Sequence, residues 1–325
     1  MSTVTSHPSN MGTSVKYSGH SDAGQVRTIN QDNFFVGELG RGYLAVVADG
    51  MGGHIAGEVA SKKAVDILHR ELTKDQSYPP AALARAVQVA NQEIYDHAAE
   101  NTELSGMGTT LTVIYIDDQV GLIGHVGDSR AYLIRDSIKQ LTHDHSWVAD
   151  RVRQGILSPD EAKQHQMRNV ITNALGSNEE VTLDLSHFVV QAGDKLLLCS
   201  DGISMLLSED ELWDIIKKTP PADASRLLVE EANKRGAPDN VTAVVCEVLA
   251  VEARPKNYAL PEANPQTPHS IKINDSTTGI QAVEDTFPRQ DVVSKLRRQA
   301  WYPYRLWIVA SLYLILLMVI FGVWR

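Results

Sequence analysis

The sequence predicts an α+β protein with antiparallel sheets, followed by one C-terminal transmembrane helix. Strand-like and helix-like segments come in blocks and do not alternate strictly, which favours antiparallel sheets over a doubly wound parallel sheet. Short polar stretches at 117–119 and 191–194 separate neighbouring strands and suit hairpins. The run 306–324 carries no charge and is long enough to cross a hydrocarbon core of about 30 Å.

Individual elements follow from the spacing of apolar residues. Alternating or continuous apolar runs predict strands, and a period near 3.6 predicts helices. The predicted strands are residues 43–48, 109–116, 120–125, 131–134, 183–190, 195–199 and 241–249. The predicted helices are 57–72, 80–100, 209–218 and 222–235, and Gly236 is typical of the position just after a helix.

Composition excludes some classes of function. The chain has 325 residues, 43% of them hydrophobic, which is enough for a globular domain of about 200 to 250 residues. A net charge of −10, with no cluster of Lys and Arg before residue 295, argues against nucleic-acid binding. Cys199 and Cys246 lie in apolar runs without C-x-x-C spacing, so we expect buried thiols in a reducing compartment.

The two ends of the chain differ from the middle. We expect a flexible N-terminus at 1–14 without a secretory signal, and a polar linker at 251–300 that is rich in Pro, Asn, Ser and Thr. The run 306–324 is apolar on every face, as in a membrane-spanning helix. Lys and Arg residues between 295 and 305 outnumber Arg325 after the run. This bias predicts a single-pass tail anchor in the cytoplasmic membrane, with the large N-terminal part in the cytoplasm.

Aspartates mark the ends of several predicted strands. Asp-Gly pairs end two apolar runs, two further aspartates border strands, and one lies in the segment RTINQDN; these residues are Asp49-Gly50, Asp201-Gly202, Asp128, Asp239 and Asp32. Each alone could be an ordinary turn residue. Together at adjoining strand ends they would repel one another unless cations lay among them.

The donor set indicates which cations would bind. Oxygen ligands without Cys or a paired His suit Mg²⁺ or Mn²⁺ better than Zn²⁺, and a glycine after each aspartate would let the backbone approach a metal closely. Two such ions form a site for in-line attack on phosphorus. Arg27 could bind the substrate phosphate through two hydrogen bonds, or it could be an ordinary surface arginine.

Eight motifs in order resemble the bacterial type 2C metal-dependent serine/threonine phosphatases. They are SDAGQVRTINQDN, VVADGMGGHIAGEVAS, GMGTTLTV, GHVGDSRAYLIR, LTHDHSWVADRVRQGILSPDEAKQH, RNVITNALG, LLLCSDGISMLL and GAPDNVTAVVCEV. The resemblance covers residues 15–250. It implies a four-layer αββα sandwich of two antiparallel sheets flanked by helices, with the metals at one end.

The resemblance also implies roles for the aspartates. It makes Asp49 the carboxylate that bridges two Mn²⁺ or Mg²⁺ ions and Gly50 a backbone ligand of one of them. Asp201 and Asp239 would hold the other ion. Asp128 resembles a ligand of a third, weaker metal, which would share Asp201.

The implied reaction is hydrolysis of phosphoserine and phosphothreonine in proteins by a metal-bridging water, without a phosphoenzyme. Arg27 resembles the phosphate-binding arginine, and Asp32 the carboxylate that orients metal-bound water. Gln31 departs from the family, which usually has Glu there. If this position helps a metal directly, the neutral Gln31 would lower the affinity for one ion; if Asp32 does the work, as we expect, little changes. The expected partners are phosphorylated proteins, including a cognate Ser/Thr kinase and its substrates. Cys199 and Ser200 are expected to be structural.

Histidines near the site leave alternatives open. His54 could act as a general acid for the leaving oxygen, or it could only pack against or cap the following helix. The segment THDHS could suggest a metal pair of His143 and His145. In the matched motif it begins a mobile flap at about 143–180, so we expect a substrate-facing contact instead.

Two other classes of function are weighed against this one. In an aspartyl-phosphate hydrolase Asp49 would be a covalent nucleophile, but the D-x-D-x-T pattern of that class is missing after it. A membrane-tethered pseudophosphatase, or a phosphoprotein-binding regulator, would bind phosphoproteins without cleaving them. The intact carboxylates argue against this second class, because a cluster of like charges is costly to keep.

Overall fold

A computed structural model describes residues 13–53, 55–74, 78–252, 268–274 and 278–288. The predicted transmembrane helix at 306–324 and most of the predicted flexible N-terminus lie outside these ranges. Within them, the helices are too short or too polar to pass through a lipid bilayer.

Twelve strands in the described part form two sheets, and every pairing between them is antiparallel. They are β1 (Ser14–Asp22), β2 (Asp32–Leu39), β3 (Gly42–Met51), β4 (Gly108–Thr109), β5 (Leu111–Asp117), β6 (Val120–Val126), β7 (Arg130–Ile134), β8 (Ile138–Gln140), β9 (Val181–Val189), β10 (Lys195–Cys199), β11 (Val241–Ala250) and β12 (His269–Ile273).

Helices lie on the outer faces of the sheets and in the segment between β8 and β9. The described helices are α1 (Ala56–Lys74), α2 (Pro79–Glu100), α3 (Trp147–Arg153), α4 (Pro159–Gln164), α5 (Asp201–Ser204), α6 (Glu209–Lys218), α7 (Pro221–Lys234) and α8 (Thr278–Thr286). The four predicted helices are confirmed as α1, α2, α6 and α7. Gly236 has a φ of +86°, the left-handed conformation that glycine adopts after a helix.

The strand order explains which strands the sequence pattern missed. One sheet has the order β1-β11-β10-β7-β8, and the other has β12-β9-β6-β5-β3-β2 with β4 paired to β3. The predicted strands form the interior of both sheets. The unpredicted β1, β2, β8 and β12 are the four edges, where solvent covers one side and the apolar pattern is weaker.

Three apolar cores separate four layers. The two sheets pack against each other through residues such as Val47, Ile123 and Leu198. The pair α1 and α2 covers the seven-stranded sheet, and α6 and α7 cover the five-stranded sheet. The expected αββα sandwich of antiparallel sheets is therefore confirmed.

The turn at 191–194 differs from its prediction. The turn at 117–119 joins the paired strands β5 and β6, as expected. The turn at 191–194, however, connects β9 to β10, which belong to different sheets, so the hairpin prediction there is wrong. Asp194 fixes this crossing because it accepts hydrogen bonds from Arg135 at 2.6 Å and from the Gln191 backbone at 2.8 Å.

The stretch 251–300 is not a linker throughout. Within its described part, β12 pairs with β9, and α8 packs beside it on the seven-stranded sheet. The apolar residues Ile271, Ile273, Val283 and Phe287 are all buried. Their spacing is too short to reveal a period, and burial against β9 and α2 supplies the stability that the local sequence lacks.

Candidate metal centre

The sandwich gathers the predicted aspartates at one end. Asp49 in β3 lies opposite Asp32 at the start of β2. Asp128 lies two residues after the end of β6, and Asp201, the first residue of α5, lies two residues after the end of β10. Asp239 lies two residues before β11. Three of these elements belong to one sheet and two to the other, so the cluster exists only because the sheets face each other.

These carboxylates perturb one another. Burial, and then repulsion from Asp32 and Asp201, raise the pKa of Asp49 well above its usual value. Burial, followed by Asp128 and Asp239, raises the pKa of Asp201 in the same way. A cluster of buried carboxyl groups that raise one another's pKa values is typical of a site that binds a cation.

Burial also raises the pKa values of the two other buried carboxyls, Asp32 and Asp128. Burial raises the pKa of Asp32 to about 6, although hydrogen bonds from Thr242 and Ser200 oppose it. Burial raises the pKa of Asp128 to about 7, with a further contribution from Asp144. At neutral pH the cluster is therefore only partly ionised without a bound cation.

Two buried carboxylate oxygens show that a cation would fit this site. Asp32 Oδ2 accepts hydrogen bonds from the hydroxyls of Ser200 at 2.7 Å and Thr242 at 2.6 Å. Asp32 Oδ1 and Asp201 Oδ1 are buried without a hydrogen-bond partner in the described part of the chain. Such oxygens are costly unless something positive faces them, and oxygen donors suit Mg²⁺ or Mn²⁺, so the residues fit the predicted ions.

The cluster is not a finished coordination shell. Among the described residues, no three acidic, imidazole or thiol side chains already converge on a point where a metal ion would sit. The site is a set of neighbouring carboxylates with unsatisfied oxygens.

The glycines after the aspartates have a packing role that the sequence did not reveal. A Cβ on Gly50 would lie 2.0 Å from the carbonyl oxygen of Gly57 at the start of α1. A Cβ on Gly202 would lie 2.0 Å from the carbonyl oxygen of Asn240. Both positions therefore require glycine for backbone contacts within the protein, whether or not a metal also approaches them.

Arg27 contacts the cluster directly. Its Nη2 donates to Asp239 Oδ2 at 2.9 Å, and both side chains are partly exposed. The loop that carries Arg27 is held by Asn240, whose Oδ1 accepts from the Gln31 backbone at 2.8 Å. Asn240 Nδ2 donates to the carbonyls of Ala23 and Ile29, each at 3.0 Å. Arg27 is therefore not an unattached surface arginine.

Two other predicted features lie beside the cluster. The side chain of Gln31 is buried, and its Nε2 packs close to Gly57 of α1. Gly52 and Gly53 have φ values of +127° and +75°, which turn the loop away from β3. His54 lies outside the described residues.

The flap begins with two anchored side chains. Asp144 accepts a bidentate pair of hydrogen bonds from Arg130, from Nε to Oδ1 at 2.9 Å and from Nη2 to Oδ2 at 2.7 Å. His145 bonds to Asp184 at 3.2 Å and to the Gly127 backbone at 3.1 Å. The side chain of His145 is only 11% exposed and faces these partners, which does not support the expected contact with substrate.

The sequence reasoning missed the polar residues that hold the aspartates. Ser200, expected to be only structural, and Thr242 both donate to Asp32. Thr110 accepts from the Asp49 backbone at 2.9 Å. In the sequence, these residues could have been recognised only as hydroxyl side chains that lie within an apolar strand or next to an aspartate at a strand end. Cys199 is fully buried, and burial raises the pKa of its thiol to about 12.

Comparison with known proteins gives the family. Residues 19–234 match the family model for protein phosphatase 2C. The serine/threonine protein phosphatase PstP of Mycobacterium tuberculosis is 38% identical over 239 residues, which is 72% of this chain and 45% of PstP. Protein phosphatase PhpP of Streptococcus pneumoniae is 39% identical over 240 residues, or 71% of this chain and 97% of PhpP.

Solved structures agree with these relatives. The crystal structure of M. tuberculosis PstP has a TM-score of 0.68 at 38% identity and covers 72% of this chain and 99% of that one. The PstP catalytic domain in complex with two manganese ions has a TM-score of 0.66 at 37% identity, covering 72% and 98%.

The fold is a two-sheet sandwich with a cluster of carboxylates at one end. Proteins named as phosphatases match more than two thirds of this chain, and together these findings define its class. The chain belongs to the protein phosphatase 2C family. It spans slightly less than half the length of PstP.

Proposed function

We propose that this protein hydrolyses phosphoserine and phosphothreonine in proteins and uses Mn²⁺ or Mg²⁺. The observation that carries the proposal is the cluster of aspartates with raised pKa values and unpartnered oxygens. Relatives named as serine/threonine phosphatases support it. A Ser/Thr kinase that phosphorylates the same proteins would be the opposing enzyme.

The cations would be held by the aspartates. Asp49, with the Gly50 backbone, would hold two ions together with Asp201 and Asp239, and Asp128 would contribute to a third. Bound divalent cations would neutralise charge on the phosphate and acidify water for in-line attack on phosphorus.

The chain's own residues would bind and orient the reactants. Arg27, at the exposed rim beside Asp239, would exchange its carboxylate partner for the substrate phosphate, for which a guanidinium is well suited. Asp32 would orient the attacking water through Oδ1, because Oδ2 already accepts from Ser200 and Thr242. His54 is retained as a candidate proton donor to the leaving oxygen.

Phosphate release from a phosphothreonine peptide tests the proposal. The purified full chain should turn over with Mn²⁺ or Mg²⁺ and stop when EDTA removes them. Asp49→Asn and Asp239→Asn should each abolish turnover. Asp66→Asn makes the same chemical change on the outer surface of α1, where the side chain is 67% exposed, and should leave turnover unchanged.

One outcome would overturn the enzyme proposal. If the wild-type chain binds the phosphopeptide but releases no phosphate with either metal, the protein is a phosphoprotein-binding regulator.

We also propose that residues 306–324 attach the protein to the cytoplasmic membrane, with the phosphatase domain in the cytoplasm. The uncharged run and the Lys and Arg residues before it support this. The full chain should stay in the membrane fraction after carbonate washing, whereas a chain without 306–325 should not. Release of the full chain by carbonate would contradict the proposal.

A further inference from the structure

Hydrogen bonds to both its backbone and its ring hold His145 in place. Its backbone N–H donates to Gly127 O at 2.7 Å, and its carbonyl accepts from the Thr172 N–H at 2.8 Å. Its ring nitrogens lie 3.1 Å from Gly127 N and 3.2 Å from Asp184 Oδ2. A side chain near the start of the flap, just before α3, is thus fixed to the segment that carries Asp128.

The hydrogen-bond partners determine the tautomer of this ring. A backbone N–H can only donate, so Nδ1 of His145 must accept from Gly127. Asn173 Nδ2 also donates to Nδ1 at 2.9 Å, and its amide is oriented by paired bonds to Thr182 N and O. The proton is therefore on Nε2, which donates to Asp184.

Gly127 connects this ring to the metal centre. It immediately precedes Asp128 and has a φ of +104°, with so little space that a Cβ would lie 2.6 Å from Thr110. Thr110 in turn accepts from the Asp49 backbone and bonds the Ser129 hydroxyl at 2.8 Å. A shift of Gly127 would move Asp128 and disturb the contact that holds Asp49.

Strand β12 reaches the same network from the other side. Asp184 is buried in β9, and its second oxygen, Oδ1, accepts from the Ser270 hydroxyl at 2.5 Å. Ser270 lies opposite Asp184 in the β9–β12 pairing, and β12 follows the residues that the family model matches. A segment outside the matched region therefore completes the support of His145.

We propose that His145 is a positioning residue for the Gly127–Asp128 turn and that β12 sets its orientation through Ser270 and Asp184. The proposal rests on the proposed function, because Asp128 matters only if it holds a cation. His145 itself touches neither substrate nor cation. Its role is to keep the Asp128 carboxylate where the weakest of the three expected ions would bind.

Mn²⁺ binding to the full chain, measured by calorimetry without substrate, tests this. The Mn²⁺ binding step that disappears in Asp128→Asn is the step that reports on the ion held by Asp128. His145→Ala should weaken that step about tenfold. His145→Asn keeps an acceptor at the position of Nδ1 but loses the bond to Asp184, so it should weaken that step by about threefold, less than the alanine variant does. His145→Gln keeps only a donor towards Asp184 and should behave like the alanine variant.

The contribution of β12 is measured by a double-mutant cycle. Ser270→Ala should weaken the same Mn²⁺ step about threefold in the wild type. It should have no effect in His145→Asn, because that substitution has already cut the link to Asp184. Lys272→Ala is the matched control, since Lys272 lies on the same strand and its ammonium pairs with the exposed Glu180, away from Asp184.

Three results would overturn the proposal. They are unchanged Mn²⁺ binding in His145→Ala, equal effects of Ser270→Ala and Lys272→Ala, and a ¹⁵N NMR spectrum with the His145 proton on Nδ1. Thermal unfolding of each variant shows whether weakened Mn²⁺ binding results from a loss of folding. Absence of Mn²⁺ binding in the wild type would instead refute the proposed function, and absence of turnover alone would leave the binding test intact.

Discussion

The guanidinium of Arg27 donates a hydrogen bond to the carboxylate of Asp239 at 2.9 Å. This pair joins the residue expected to bind phosphate to one expected to bind a metal ion. Both side chains are partly exposed, so the pair is weak enough to be exchanged for other partners. With the proposed phosphate-binding role of Arg27, the substrate phosphate would enter at the rim of the aspartate cluster.

Substitution of Arg27 should therefore affect substrate more than metal. We expect Arg27→Ala to raise KM for a phosphothreonine peptide by about tenfold or more, because a charge-assisted hydrogen bond to phosphate is lost. Arg27→Lys should recover only part of this, since lysine lacks the planar fork. Steady-state kinetics at saturating Mn²⁺ measure the effect. Arg226→Ala on α7, a partly exposed arginine paired with Glu230, is the control; an equal KM in both alanine variants would contradict the prediction.

Asp32 should matter through its charge. We expect Asp32→Asn to lower kcat by about 100-fold, because the amide cannot act as the anionic acceptor for the attacking water. Ser200→Ala and Thr242→Val each remove one of two hydroxyls that hold Asp32 and should have smaller effects. Single-turnover kinetics give these rates, and a near-wild-type rate in Asp32→Asn would rule out this role.

Stability without metal should fall as the pH rises. Native pKa values of about 6 for Asp32 and about 7 for Asp128, together with the raised pKa of Asp49, exceed those of the unfolded chain. The folded state therefore binds more protons between about pH 5 and 8, and ionisation there destabilises it. The buried His125, whose pKa burial lowers to about 3, gives the opposite slope below pH 6.5.

Comparing the wild type with Asp49→Asn separates the pH dependence due to the carboxylates from that due to His125, because both proteins contain His125. In EDTA, the variant should gain Tm relative to the wild type as the pH is raised from 5.5 to 8. Mn²⁺ should stabilise the wild type more at pH 8 than at pH 5.5. A Tm difference that is independent of pH would show that the cluster is not strained in the folded state.

The segment after β11 should contribute to folding. Phe287 is fully buried, and its carbonyl accepts a hydrogen bond from Tyr78. We expect Phe287→Ala to lower the free energy of unfolding by about 3 kcal/mol. The exposed Asp285 provides a control, since Asp285→Ala should cost less than about 0.5 kcal/mol. Urea unfolding measures both, and equal stabilities would mean that this segment does not pack on the domain.

Much of the fold could be predicted from the sequence. Strands in the middle of a sheet are buried on both faces, so their apolar runs were recognisable, as in 120–125 and 195–199. Edge strands lack this pattern, and β12 was even taken for part of a linker. The turn at 191–194 was misread because a short polar turn looks the same whether it pairs two strands or crosses between sheets.

The candidate site was predictable only in its charged members. Asp49, Asp128, Asp201 and Asp239 stand out because aspartate is unusual beside an apolar strand. The hydroxyls of Ser200 and Thr242 are common residue types, and nothing in their neighbourhood in the chain connects them to Asp32.

The sequence by itself determined the layered α+β architecture, the family and the set of candidate ligands, because these depend on local periodicity and on motifs within short segments. Only the tertiary structure decided that Arg27 pairs with Asp239, that Asn240 holds the loop before β2, and that Ser270 supports Asp184 and His145. The physical reason is separation along the chain. These partners are tens to hundreds of residues apart, and packing of the two sheets and their edge strands brings them within hydrogen-bonding distance.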